Sequence, residues 1–205
     1  MKKNDLLYLP LTERVYPYLS LGDGFLEKYF IMEIERLRNN VPHPLEKNIL
    51  RCLRSCQSTS FYCHHAKDPF TGKIIGTASD CYNGKWFWQM SLAYFVENYH
   101  ISLPDEFIQD MANDQWRWNC PEMSRKYGMT ENFRTPVRVL TDQEIDRIVD
   151  PDLERIEVYD DQTHKNVYMT GLECRELLKK KRQELVSNLP EINVTDTNYW
   201  YYIPR

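Results

Sequence analysis

Six side chains able to hold a soft metal fall between positions 52 and 81: Cys52, Cys56, Cys63, His64, His65 and Cys81. Zinc needs thiolate or imidazole donors converging as a tetrahedron, and Cys52 and Cys56 would share a helix face one turn apart. Cys52, Cys56, Cys63 and His65 are therefore the ligand candidates, and zinc is the only cofactor the sequence suggests. No Cys-x2-Cys knuckle is present, however, and the spacing matches no standard finger or ribbon. Buried thiols with surface histidines need no further assumption. A disulfide framework is disfavoured as well, because that reading belongs to small secreted chains.

Nucleophilic chemistry has less to work with. Cys63 and His64 are adjacent, and adjacent strand residues point to opposite faces, so adjacency does not make a thiolate-imidazole pair. The chain has no Gly-x-Ser-x-Gly elbow, P-loop, Gly-x-Gly-x-x-Gly or His-Glu-x-x-His, and 7 glycines leave little for a phosphate-cradling loop. A hydrolytic site would have to be assembled from scattered groups such as His100, Asp105 and Glu106. The two acids are already explained by a helix that starts at Pro104. The basic run Lys179-Lys180-Lys181-Arg182 is read as a helix-end charge suited to the dipole and to water, with an acidic partner or nucleic acid as the functional alternative.

Aromatic side chains are the strongest departure from average. The chain holds 5 Trp, 14 Tyr and 8 Phe, and ten aromatics crowd the stretch 82–118. Most must form core, because strand and helix spacing accounts for them. Trp86 and Trp88 share one strand face and Phe87 takes the other, so one set can line an exposed face. Trp and Tyr anchor interfaces by burying large area while keeping a polar handle. Trp86, Trp88, Tyr94, Trp116 and Trp118 are thus the candidates for contact with a protein partner.

The elements that must position these groups are legible in outline. Residues 5–19 suggest one or two short extended pieces. Leu26, Phe30, Ile34 and Leu37 repeat at helical spacing, widened by Tyr29, with Glu33 among the outer residues. Pro42 and Pro44 lead to a helix over 45–56 carrying Leu45, Ile49, Leu50 and Leu53. Strands are expected at 60–63 and 73–82, and Asn83-Gly84 is the pair that the central positions of a type I′ hairpin turn prefer. Lys85 to Trp88 is the return strand. Leu92, Phe95, Val96 and Tyr99 mark a helix, and a second follows over 104–113. Pro136 to Leu140 reads as a strand, and Thr141-x-x-Glu144 as a capping box. A second hairpin is expected at 155–169, then a helix over 172–186 with Cys174, Leu177, Leu178 and Leu185 inward. The aromatic tail 199–202 is expected to dock on the body. The class is α+β, with short β-hairpins packed with about five or six helices. Residues 1–118 are expected to form the main domain and 119–205 a C-terminal lobe.

Composition bounds the class of partner. In 205 residues, 42% are hydrophobic and 27% charged, and the formal net charge is −4. A mildly acidic chain lacks the broad positive field of a phosphate binder, so nucleic acid is a poor fit. No segment approaches the ~20 apolar residues that span a bilayer. The apolar run after Met1-Lys2-Lys3 is too short for a signal peptide. A cytoplasmic protein is the expectation.

The stretch Asn83-Gly84-x-Trp86-x-Trp88, Leu92-Ala93-Tyr94-Phe95-Val96, Tyr99-His100 and Leu103-Pro104-x-Glu106-Phe107 resembles a recurring segment of uncharacterised bacterial proteins. Those proteins are similar to immunity-type partners in polymorphic toxin systems. Asn83 stands where Asp is usual in that segment, and Phe95 where Tyr is usual. The resemblance implies a bacterial interaction protein and brings no catalytic residue with it. The leading expectation is a non-enzymatic, immunity-like binder of a toxin or other protein, with a homo-oligomer left open. The alternative is a metal-dependent or hydrolytic enzyme built on the Cys/His-rich region 52–81.

Overall fold

A computed structural model describes residues 7–8, 15–16, 20–21, 23–56, 65–83, 85–117, 136–160, 165–188 and 200–202. The strand expected at 60–63, together with Cys63, His64, Trp118 and Cys120, lies outside the described residues. The fold is α+β, with six helices among the described residues. The chain divides into two units, Met1–Thr12 with Phe30–Thr135, and Glu13–Tyr29 with Pro136–Arg205. The three N-terminal strands are shared between them. β1 (Leu7–Tyr8) belongs to the first unit, β2 (Val15–Tyr16) and β3 (Ser20–Leu21) to the second.

The first unit is built around α2 (Glu46–Ser55), α3 (Leu92–Tyr99) and α4 (Asp105–Asn113). On α2, Ile49, Leu50, Cys52 and Leu53 fall on one face at helical spacing and are buried. Leu45 precedes the helix and is 40% exposed, because it caps the helix rather than joining that face. The preceding helix, α1 (Asp23–Leu37), buries part of the expected stripe: Tyr29 and Ile34 go inward, joined by Met32, while Phe30 and Leu37 are half-buried. Glu33, expected outside, is fully buried. Its carboxylate holds the Arg36 guanidinium one turn on, at 3.0 Å, as a buried charge requires.

Strands β6 (Asp80–Tyr82) and β7 (Trp86–Gln89) form the expected antiparallel pair, with β1 added to β7 in parallel. The turn itself differs from expectation. Tyr82 pairs with Phe87, and the Asn83 amide donates to the Trp86 carbonyl at 3.2 Å, so Asn83 closes the strand instead of occupying a central turn position. Asn83 also lacks the positive φ that a central type I′ position would need. Its side-chain oxygen accepts from the amides of Lys85 and Trp86 at 3.1 and 2.7 Å, an Asx turn. Strand periodicity then puts Trp86 and Trp88 on one buried face and leaves Phe87 half-buried on the other. Phe107 of α4 meets both indoles edge-on, with centroids 5.2 and 5.8 Å away. Beyond α4, Gln115 and Trp116 both take left-handed backbone angles.

The second unit contains two three-stranded sheets. β9 (Ile156–Asp160) lies between β10 (Lys165–Met169) and β3, and β8 (Pro136–Val139) lies between β2 and β11 (Trp200–Tyr202). The aromatic tail thus docks as a strand, as expected. Helix α5 (Asp142–Ile148) opens with the full Thr141–Glu144 capping box. Helix α6 (Gly171–Asn188) opens with a second one, in which the Glu173 carboxylate accepts from the Thr170 amide at 2.7 Å and the Thr170 hydroxyl from the Glu173 amide at 3.2 Å. The helix runs on to Asn188, so the basic run 179–182 sits mid-helix, away from the end dipole. Acids of α5 neutralise part of it instead: Lys179 reaches Asp146 at 2.6 Å and Arg182 reaches Asp142 at 3.2 Å.

Gly171 is required by close approach. A Cβ there would stand 1.9 Å from the Asp150 carbonyl oxygen, while the Gly171 amide donates to Leu153 at 2.8 Å. Gly171→Ala is therefore expected to cost about 1–3 kcal/mol, since backbone must move to admit the methyl. A lowered thermal midpoint checks this, and an unchanged one would contradict the close approach.

Candidate functional site

The loop between α1 and α2 reads Asn39-Asn40-Val41-Pro42-His43-Pro44-Leu45. Val41 and His43 each precede a proline, which disfavours helical backbone at both, and the two pyrrolidine rings fix φ at 42 and 44. The result is a stiff loop that holds Val41 70% exposed. Facing it is the segment after α3. His100 ends that helix in the left-handed region (φ 50), its amide donating to the Val96 carbonyl at 3.0 Å. The chain then runs through Ile101 and Leu103, both buried, to the start of α4.

Hydrogen bonds stitch the two segments together. The Asn39 side-chain amide donates to the His100 carbonyl and to the Ser102 hydroxyl oxygen, both at 2.8 Å. The Ser102 amide donates to the Leu37 carbonyl at 2.9 Å. His100 Nδ1 pairs with Glu46 Oε2 at 2.8 Å. Between the segments lies a cleft of about 330 Å³. Ile49, Val96, Ile101, Leu103 and Ile108 make its apolar floor, and Val41 with Pro42, His43 and Pro44 its rim. Its polar edge consists of Asn39, Ser102 and Asp105.

A second polar cluster lies at the tip of the hairpin made by β4 (His65–Lys67) and β5 (Ile74–Thr77). Asp68 is 1% exposed there. One carboxylate oxygen accepts from the amides of Phe70 and Thr71 at 2.9 and 3.3 Å. The other accepts from the hydroxyls of Tyr94 and Tyr99 at 2.8 and 2.7 Å. Burial alone would raise the carboxyl pKa. Hydrogen bonds from Tyr99, the Phe70 amide, Tyr94 and Thr71 outweigh it and hold the pKa below its ordinary 3.8. Four donors fill this carboxylate, so it clamps the hairpin to α3 and has little left for a substrate.

No family model matches this chain, and searches of curated proteins and of solved structures return no match.

The metal candidates separate. Cys52 and Cys56 are buried, His65 is exposed on β4, and Cys63 lies outside the described residues. Among the described residues no group of three His, Cys, Asp or Glu side chains could hold a metal ion. Burial pushes the Cys174 thiol up to about 11, which makes it a poor nucleophile. His100, Asp105 and Glu106 do not form a common site either: His100 is paired with Glu46, Glu106 with Lys85 at 2.7 Å, and Asp105 edges the cleft.

The aromatic candidates divide by burial, and Trp118 lies outside the described residues. Trp86 and Trp88, 4% and 0% exposed, belong to the core and offer no face to a partner. The Trp86 indole N–H is further spent on Asp110 at 2.7 Å. Tyr94 is half-buried with its hydroxyl on Asp68, and Trp116 is half-buried against the core. The cleft was missed because its walls come from distant segments. The signal that was available is the pair of X-Pro steps carrying Val41, an apolar residue in a loop that cannot fold back into a helix.

Proposed function

We propose that this chain is a non-catalytic interaction protein that docks a protein partner on the cleft between the 39–45 loop and the segment 100–105. The observation that carries this reading is a preformed apolar cleft with Val41 standing 70% exposed on its rim. Interfaces concentrate their energy in such pockets, where an anchor side chain is fully desolvated. The ionisable groups with the best geometry are consumed in the fold: Asp68 by two tyrosines, His100 by Glu46, Lys85 by Glu106 and Asp110. An immunity-like role, occluding a toxin, rests on the resemblance of residues 83–107. The net charge of −4 would steer such a protein onto a basic partner.

Co-expression with the product of the neighbouring gene tests the proposal. A stable complex, with protection of the host cell, is the expected outcome. Val41→Asp should weaken that complex roughly tenfold or more, because it places a charge on the apolar rim. Its thermal midpoint should stay near that of the parent, Val41 being mostly in water already. Neither complex nor protection, or full affinity in Val41→Asp, overturns the proposal. Light scattering on the free chain separates a hetero-partner from a second copy of itself.

A further inference from the structure

We infer that the cleft is built to take one arginine or lysine side chain of the partner, its stem on the apolar floor and its cationic head on Asp105. The inference rests on the docking role proposed above and names the chemistry of the anchor. It follows from an inventory of the hydrogen-bonding capacity left at the polar edge.

Asn39 has spent both donors, one on the His100 carbonyl and one on the Ser102 hydroxyl oxygen, so its side chain offers the cleft only an acceptor. His43 Nδ1 accepts from the Leu45 amide at 3.1 Å and is likewise occupied. Asp105 lines the cleft as its one carboxylate, and among the described residues it has no ion-pair partner. The other acid of that first helical turn, Glu106, is held by Lys85 at 2.7 Å. The dipole of α4 offsets part of the Asp105 charge without supplying a hydrogen-bond donor from a side chain. Ser102 keeps its own hydroxyl proton and His43 an Nε2–H, so the edge is mixed in hydrogen bonding, but its one carboxylate is Asp105 and the floor beside it is aliphatic.

An uncharged apolar anchor would fill the floor and leave the Asp105 carboxylate half-desolvated and unpaired, which is costly. An acidic anchor would be repelled. Lysine and arginine alone combine an aliphatic stem with a donor-only cationic head. A basic partner is also what the acidic chain as a whole would attract, so the local and the long-range electrostatics agree.

The test uses the full 15N-labelled chain and three capped tripeptides, acetyl-Gly-X-Gly-amide with X as arginine, citrulline or norleucine. Citrulline keeps the shape of arginine and removes the charge. The arginine peptide is expected to shift the amides of Val41, Ser102 and Asp105 saturably, with citrulline roughly tenfold weaker, the loss of one charge-assisted pair. Asp105→Asn should bring arginine down to the citrulline level, and Asp105→Glu should restore part of the difference. Unchanged thermal midpoints in both variants exclude a folding artefact. Equal binding of arginine and citrulline, an Asp105→Asn variant that keeps the preference, or no shift with any peptide overturns the inference. Norleucine binding best would also overturn it while leaving the apolar docking role standing. That role fails separately, when the complex of the co-expression experiment does not form or ignores Val41→Asp.

Discussion

Trp88→Ala is expected to destabilise the first unit by about 3–5 kcal/mol, the cost of deleting a large ring from a packed core. The side chain is completely buried on the middle strand of the sheet β1-β7-β6. Its ring meets Phe107 of α4 edge-on, and the surrounding cluster draws on α2, α3 and α4 through residues such as Ile49, Leu92 and Met111. The hole left by alanine would be lined by side chains from three helices, which cannot all close on it without losing their own contacts. Domain stabilities are about 5–15 kcal/mol, so this one change removes a large share. Phe87→Ala on the opposite face of the same strand is the control, expected to cost less because that ring is half in water already. Urea midpoints followed by far-ultraviolet circular dichroism compare the two. A Phe87→Ala loss as large as that of Trp88→Ala would contradict the assignment of the two faces.

That pair of neighbouring residues also marks what the sequence made legible. Alternation in 86–89 and the stripes of α2 and α3 are local patterns, and local patterns were read correctly because one apolar face must be buried. The Thr141–Glu144 capping box was legible for the same reason. The equivalent box at Thr170–Glu173 has the same spacing in the sequence. Asn83-Gly84 misled because the dipeptide favours a turn without fixing which of its residues sits at the centre. Asn83 used its side chain to cap the turn from outside. Glu33 is expected in water because an acid usually is, and the ion pair with Arg36 helps to make its burial tolerable.

The candidate sites were less legible, because proximity across the chain has no period. Asn39 meets His100 and Ser102 from 61 and 63 positions away. His100, Asp105 and Glu106 looked like a group by closeness in sequence, yet each found a different neighbourhood once α3 and α4 were placed. The aromatic excess was real, and its purpose is mainly internal: three of the crowded rings pack on one another through Phe107. The exposed group on the rim of the cleft is aliphatic, Val41, and it lies outside the aromatic stretch.

Asp68 supplies the other large expected effect. Asp68→Ala should cost about 3 kcal/mol, because four donors lose one charged acceptor and two of them are tyrosine hydroxyls held against the hairpin. A two-stranded hairpin is marginal alone in water, so β4 and β5 depend on this clamp. Asp68→Asn should cost less, since an amide can still bond to both hydroxyls, but it removes the titration. In the parent, the folded carboxyl has a pKa below the 3.8 of the unfolded chain. The unfolded chain therefore takes up the proton first as pH falls, so the clamp's contribution is complete above that ordinary value and is lost as pH drops through the lowered one. Tyr94, hydrogen-bonded to Asp68 and partly desolvated, and Tyr99, desolvated and bonded to the same carboxylate, both ionise above their ordinary 10.0. Their contribution is complete below that value and is lost as pH rises through the raised ones. The difference in urea midpoint between the parent and Asp68→Asn should thus be greatest near neutral pH and shrink on both sides. A difference that stays constant from acid to alkaline pH would mean that Asp68 is not the charged centre of the clamp.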